Sequence, residues 1–169
     1  MTPLATLTVG TPPGPARFTV RRAAAADVPA LVALLADDDL GRTREDLSGG
    51  GLVVYQRAFA AIDASPAQLL VVVTPQDAPG EVAATMQLTF IPGLSRQGAL
   101  RAQFEAVRVA SPHRGQGLGE AMIRWAIAEA RRRGAVLVQL TSDKSRAGAL
   151  RFYPRLSFTA SHEGFKLML

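Results

Sequence analysis

Ser111-Pro112-His113-Arg114-Gly115-Gln116-Gly117-Leu118-Gly119 sets three glycines at alternate positions directly ahead of the best amphipathic helix of the chain. Alternating glycines let a backbone curl so that successive N–H groups point inward, and a helix that starts there adds the positive end of its dipole. The stretch therefore reads as an anion cradle. A Walker loop would close on Gly-Lys-Ser/Thr, but here Gly119 is followed by Glu120 and Ala121. A dinucleotide fingerprint would need a glycine at the sixth place from Gly115, where Glu120 stands.

Working outward, residues 118–133 are expected to form a helix with Leu118, Ala121, Met122, Trp125 and Ala128 on one face. Glu120 with Arg124, and Glu129 with Arg133, are spaced as i,i+4 pairs, and Gly134 ends the run. Ahead of the cradle, residues 99–109 read as a long strand. Its apolar positions keep one parity at Leu100, Ala102, Phe104 and Ala106, then switch at Val107 and Val109. Side chains alternate with period two along a strand, so the switch predicts a β-bulge near Ala106. Residues 135–140 form a nearly continuous apolar run, and the strand, helix, strand order predicts a parallel pair.

Farther out, residues 69–74 and 82–90 predict two antiparallel strands, residues 18–22 a short strand, and residues 28–35 a helix capped by Asp27. A second helix is expected over 52–61, after a polar connection at 37–51 whose Asp37, Asp38 and Asp39 could attract a cationic amine or simply be solvated. A last helix over 146–156 precedes a final strand near 165–169. Residues 1–16 carry Pro3, Pro12, Pro13, Pro15, Gly10 and Gly14 and read as a flexible leader to one domain over 17–169. The fold class is α/β with a mixed sheet: mostly antiparallel strands, one parallel pair at a cofactor cleft, and helices on both faces.

A chain of 169 residues with 48% hydrophobic content can bury one continuous core. It has no cysteine, which excludes disulfides, thiolate metal sites and a thiol nucleophile. With two histidines, a metal site has little support. The net charge of +5 suits a phosphate-bearing cofactor. The one dense basic run, Arg131 to Arg133, reads as a helix end rather than a nucleic-acid track. No signal-like segment or long apolar stretch is seen, so the expectation is a cytoplasmic enzyme without membrane or nucleic-acid partners.

The cradle resembles the signature of the GNAT superfamily of N-acetyltransferases, Gln/Arg-x-x-Gly-x-Gly/Ala, at Arg114, Gly117 and Gly119. Ala149-Leu150-Arg151-Phe152-Tyr153-Pro154-Arg155-Leu156-Ser157-Phe158 is similar to the family's Ala-x-x-Phe-Tyr-x-x-Leu-Gly-Phe segment. The likeness follows the element order from Phe18 onward and is motif-specific from Glu105 to Phe158. Pro154, Ser157 and Arg146 depart from it, each where the family commonly has another residue.

The resemblance implies a GNAT-like fold and direct transfer of an acetyl group from acetyl-CoA, as co-substrate, to a primary amine in a ternary complex. It implies that Arg114, Gly115, Gln116, Gly117, Leu118 and Gly119 hold the pyrophosphate. Main-chain groups of Val107 and Val109 would line the pantetheine, and the Val109 N–H could face the oxyanion. Glu105 becomes the candidate general base, against the alternative of a strand residue paired with Arg101 or Arg108. Tyr153 becomes the candidate acid for the thiolate, against the alternative of a packing aromatic. The acceptor is a small-molecule or peptide amine, and the terminal strand could pair or exchange across a homodimer. The alternative function is a catalytically weak acyl-CoA-binding regulatory module.

Overall fold

A computed structural model of the chain describes residues 2–11, 14–37, 41–46, 48 and 50–169. Six strands make one sheet in chain order: β1 (Ala5–Thr11), β2 (Gly14–Arg22), β3 (Gln68–Pro75), β4 (Ala84–Pro92), β5 (Leu100–Val109) and β6 (Leu137–Leu140). Every neighbouring pair is antiparallel except β5 and β6, which run parallel. The parallel pair is joined through helix α4 (Leu118–Arg132), the crossover that such a pair requires.

The run Leu69 to Val73 explains why β3 sits inside the sheet. Leu69, Val71, Val72 and Val73 are all fully buried, so both faces are covered. Val71 and Val73 join the main core with Met86, Leu88, Phe104 and the α4 residues Leu118, Met122, Ile123, Ala126 and Ala130. Val72, on the opposite parity, packs with Ala23, with Leu31 of α1 (Val28–Ala36) and with Phe59 of α2 (Leu52–Ala64). Helices therefore lie on both faces. Between β4 and β5 a single turn, α3 (Ser95–Gly98), takes left-handed backbone at Arg96, Gln97 and Gly98. Among the described residues no helix is long and apolar enough to cross a membrane.

Four expectations are corrected. Residues 5–11 are not an irregular leader: they form β1, with Leu7 and Val9 buried and the register running from Ala5–Val20 to Thr11–Gly14. The alternation Leu7, Val9 within Ala-Thr-Leu-Thr-Val supplies a strand face, and at a sheet edge the flanking prolines and glycines interrupt no interior ladder. The buried stripe of α4 is turned from the one expected: Ile123, Ala126 and Ala130 are buried, Trp125 is half-buried and Ala128 faces solvent. A residue as small as Ala128 tolerates either face, so it misleads the phase.

Asp27 does not cap α1. It ends a single 3₁₀ turn (Ala25–Asp27), where its carboxylate accepts the Ala24 N–H at 2.7 Å and two Arg21 nitrogens at 2.7 and 2.8 Å. It thus ties the end of β2 to the start of the helix. Finally, residues 165–169 form no strand. α5 (Ala147–Phe152) tightens to a 3₁₀ turn at Tyr153–Leu156, where Pro154 lacks the N–H an α-helix would use, and no regular element follows.

Candidate active site

The bulge lies where the phase change places it. Thr85 pairs with Arg108 and Gln87 with Glu105, so Met86 alone faces both Ala106 and Val107. Ala106 takes φ 51°, the left-handed backbone that lets one extra residue fit. The extra residue changes which side chains meet. Residues three apart on a regular strand point to opposite faces, but here Glu105 and Arg108 oppose Gln87 and Thr85, which share a face. Glu105 and Arg108 therefore flank the bulge on the same side of the sheet, the side covered by α1 and α2.

On its other edge, β5 pairs with β6 only from Arg101–Leu137 to Phe104–Leu140, and then continues to Val109 without it. A cleft opens there. The Ala110 N–H donates to the Ala83 carbonyl at 2.8 Å, so the main-chain groups of Val109, one residue back, turn away from β4. The Val109 carbonyl accepts Arg114 Nε at 2.8 Å, and the Val107 carbonyl accepts Arg108 Nη1 at 2.9 Å. Val107 and Val109 thus present main-chain polar groups to the cleft side.

The cradle closes this cleft. A 3₁₀ turn (Ser111–His113) leads into Gly115 at φ 73° and Gly117 at φ 87°, both left-handed, and α4 starts at Leu118, which is buried and anchors the helix. The Ala121 N–H is the one that reaches the Gly117 carbonyl, at 3.0 Å. The N–H groups of Leu118, Gly119 and Glu120 precede it and have no acceptor within the helix, which leaves them for an anion. A side chain at Gly119 would enter the space between Val109 and Phe152, its Cβ 3.6 Å from Val109 Cγ2 and 3.9 Å from Phe152 Cζ. Glycine keeps that space open. These are the features a bound pyrophosphate and its pantetheine arm would need, so the residues present fit acetyl-CoA.

Polar side chains hold the loop rather than pointing into it. Arg114 donates to the Asp37 carbonyl at 2.8 Å and to its carboxylate at 2.7 Å, and Ser111 Oγ donates to the same carboxylate at 2.8 Å. Asp37 therefore braces the cradle instead of standing free for an amine; Asp38 and Asp39 lie outside the described residues. Gln116 Nε2 donates to the Pro112 carbonyl at 2.7 Å. His113, half-buried, meets Glu81 at 2.7 Å and stands edge-on to Phe18 with 5.6 Å between ring centroids. Next to the loop a cavity of about 520 Å³ is lined by Phe18, His113 and Gln116 on the side of β2, away from the bulge.

Tyr153 follows Phe152 directly and packs edge-on between Phe152 and Phe158, at 5.2 and 5.6 Å between centroids. Burial raises its phenol above the usual range, opposed by the nearby charges of Arg108 and Arg146. Glu105 is exposed, with Thr89 Oγ1 at 3.5 Å from its carboxylate. Thr89 also reaches Gln68 Oε1 at 2.8 Å, which Gln87 Nε2 meets at 3.0 Å, so a polar row crosses three strands beside the bulge. Sequence reading missed Arg108, Asp37 and this row, because each depends on a cross-strand or cross-element register.

A model of the acetyltransferase (GNAT) family matches residues 40–158. A protein from Bacillus halodurans C-125 described as a transcriptional regulator is 44% identical, with a TM-score of 0.85 over 90% of this chain and 99% of that one. Aminoalkylphosphonate N-acetyltransferase of Salmonella typhimurium is 38% identical over 63 residues, 37% of this chain and 41% of that enzyme. Glucosamine-6-phosphate N-acetyltransferase from Arabidopsis thaliana superposes with a TM-score of 0.71 over 89% of this chain and 97% of its own; at 18% identity the likeness concerns fold alone.

Proposed function

Because the chain belongs to the acetyltransferase (GNAT) family, we propose that it moves an acetyl group from acetyl-CoA to a primary amine by direct attack in a ternary complex. The observation that carries this reading is the convergence of Val109, Gly119 and Phe152 around one opening, reached by unpaired N–H groups on one side and strand main chain on the other. In it, the N–H groups at the start of α4 bind the pyrophosphate, with Arg114 through Gly119 shaping the turn. Main-chain groups of Val107 and Val109 align the pantetheine arm, and the Val109 N–H faces the oxygen on which negative charge develops.

Glu105 accepts the amine proton, directly or through water, and Tyr153 donates a proton to the departing sulfur. A phenol pushed up by burial holds its proton at neutral pH, as a donor must. Arg108 and Arg146 bring positive charge beside Tyr153. That charge suits a small-molecule acceptor whose amine sits on an anionic skeleton, and the partial likeness to aminoalkylphosphonate N-acetyltransferase supports the same class.

The test is release of free coenzyme A from acetyl-CoA with 2-aminoethylphosphonate, its uncharged analogue ethanolamine and a polyamine. The expected result is turnover that favours the phosphonate; preference for the polyamine would remove the anionic acceptor. A second reading, a regulatory acyl-CoA-binding module, is favoured by the relative described as a transcriptional regulator. Acetyl-CoA binding without thiol release across a broad amine panel would select it.

A further inference from the structure

β6 is the last strand of the sheet, and its outer edge has no partner among the described residues. The sequence Leu137-Val138-Gln139-Leu140 carries no charge, proline or bulge, the devices that usually protect an edge from adding another strand. Exposed apolar side chains flank it: Val136 just before β6 and Leu150 on α5. The edge is an open template for an added strand.

The tail after residue 164 has complementary properties. Glu163 meets Lys144 Nζ at 3.0 Å, and a Cβ on Gly164 would lie 3.9 Å from Thr141 Cγ2, which brings the chain beside the end of β6. From there Phe165, Leu167, Met168 and Leu169 are 94%, 85%, 90% and 116% exposed. Phe165, Leu167 and Leu169 fall on one parity, the pattern of one strand face, over a length that matches the four residues of β6. A segment that found its cover in its own chain would bury that face there; this one buries none of it. The covering surface belongs to another molecule, and a second copy supplies an edge of the right length and polarity next to an identical tail.

We propose that two copies of this chain associate about a two-fold axis, residues 165–169 of each adding as a strand to the β6 edge of the other. The exchange is isologous: each copy gives one tail and receives one, so a single contact type closes the dimer and leaves neither edge open. The inference does not depend on acetyl transfer, since it uses only the edge and the tail.

Sedimentation of the full chain between micromolar and 100 µM tests it. The expected species has about twice the 17.9 kDa chain mass, and a Phe165→Asp/Leu167→Asp double variant, left with the same circular dichroism, sediments at the single-chain mass. The absence of cysteine allows a second measurement with no background. A Gln139→Cys variant mixed with a Lys166→Cys variant and oxidised should give a covalent dimer joining one of each. A wild type that is monomeric at 100 µM, a double variant that still dimerises, or a disulfide that forms only within one chain when both cysteines share it would each overturn the proposal.

Discussion

Ala106 holds the bulge in left-handed backbone, a conformation that costs a residue bearing a Cβ roughly 1–2 kcal/mol relative to glycine. Ala106→Gly should therefore keep stability or raise it by up to ~1 kcal/mol in urea unfolding, whereas an alanine to glycine change in a regular strand loses stability. Tyr153→Phe should lower turnover by roughly 10²-fold with acetyl-CoA affinity nearly unchanged, as removal of a proton donor does. Unchanged turnover would leave Tyr153 a packing aromatic. Glu105→Gln should lower kcat/KM with the primary amine near neutral pH and lose the acidic limb of the profile; a retained limb would assign the base elsewhere. The glycines and Tyr153 were legible because their motifs are local. Arg114 was legible as part of the loop, but its engagement with Asp37 and Val109 was not, since Asp37 is 77 residues away in sequence.

At the scale of elements, two ion pairs link the cleft's supports to the core. Asp27, buried, clasps Arg21, and Glu129, buried on α4, receives Arg132 at 2.7 Å and Arg133 at 2.8 Å while the Arg133 guanidinium covers the Phe90 ring at 4.6 Å. The Arg21 hydrogen bond lowers the Asp27 carboxyl and the Arg132 hydrogen bond lowers that of Glu129, each against the opposing effect of burial. A depressed folded-state value means that the stabilisation is present above the unfolded carboxylate range, near ~4, and is lost as pH falls through the folded value. Melting temperature should therefore drop on acidification below about pH 4, and the drop should shrink in Asp27→Asn and Glu129→Gln. At neutral pH, Asp27→Ala should cost about 3 kcal/mol, because it leaves the part-buried Arg21 without its carboxylate. Long elements with clear periodicity, β3, β4, β5 and α4, were readable from sequence. β1 was not, because prolines and glycines around it mask a four-residue alternation that only its pairing with β2 turns into structure.

Across the whole molecule, the first strand and the cradle meet. A Cβ on Gly117 would lie 3.3 Å from Val9 Cγ1, so β1 backs the loop from below while Asp37, at the end of α1, braces it from the side. The bulge, the parting of β5 from β6 and the start of α4 then fall at one place, which explains why a nine-residue motif could forecast so much of the site. What it could not forecast is the acceptor side, built from side chains on β4, β5 and α5 that only the fold brings together. The central claim is that the opening between Val109, Gly119 and Phe152 receives acetyl-CoA. Calorimetric titration of acetyl-CoA into the wild type and into Gly119→Leu tests it most directly, since Gly119 lacks the left-handed backbone of its neighbours and a side chain there fills the opening without straining the turn. Micromolar binding by the wild type, weakened roughly tenfold or more in a variant with unaltered melting, is the predicted result. A folded wild type that does not bind, or a variant that binds equally well, would contradict it.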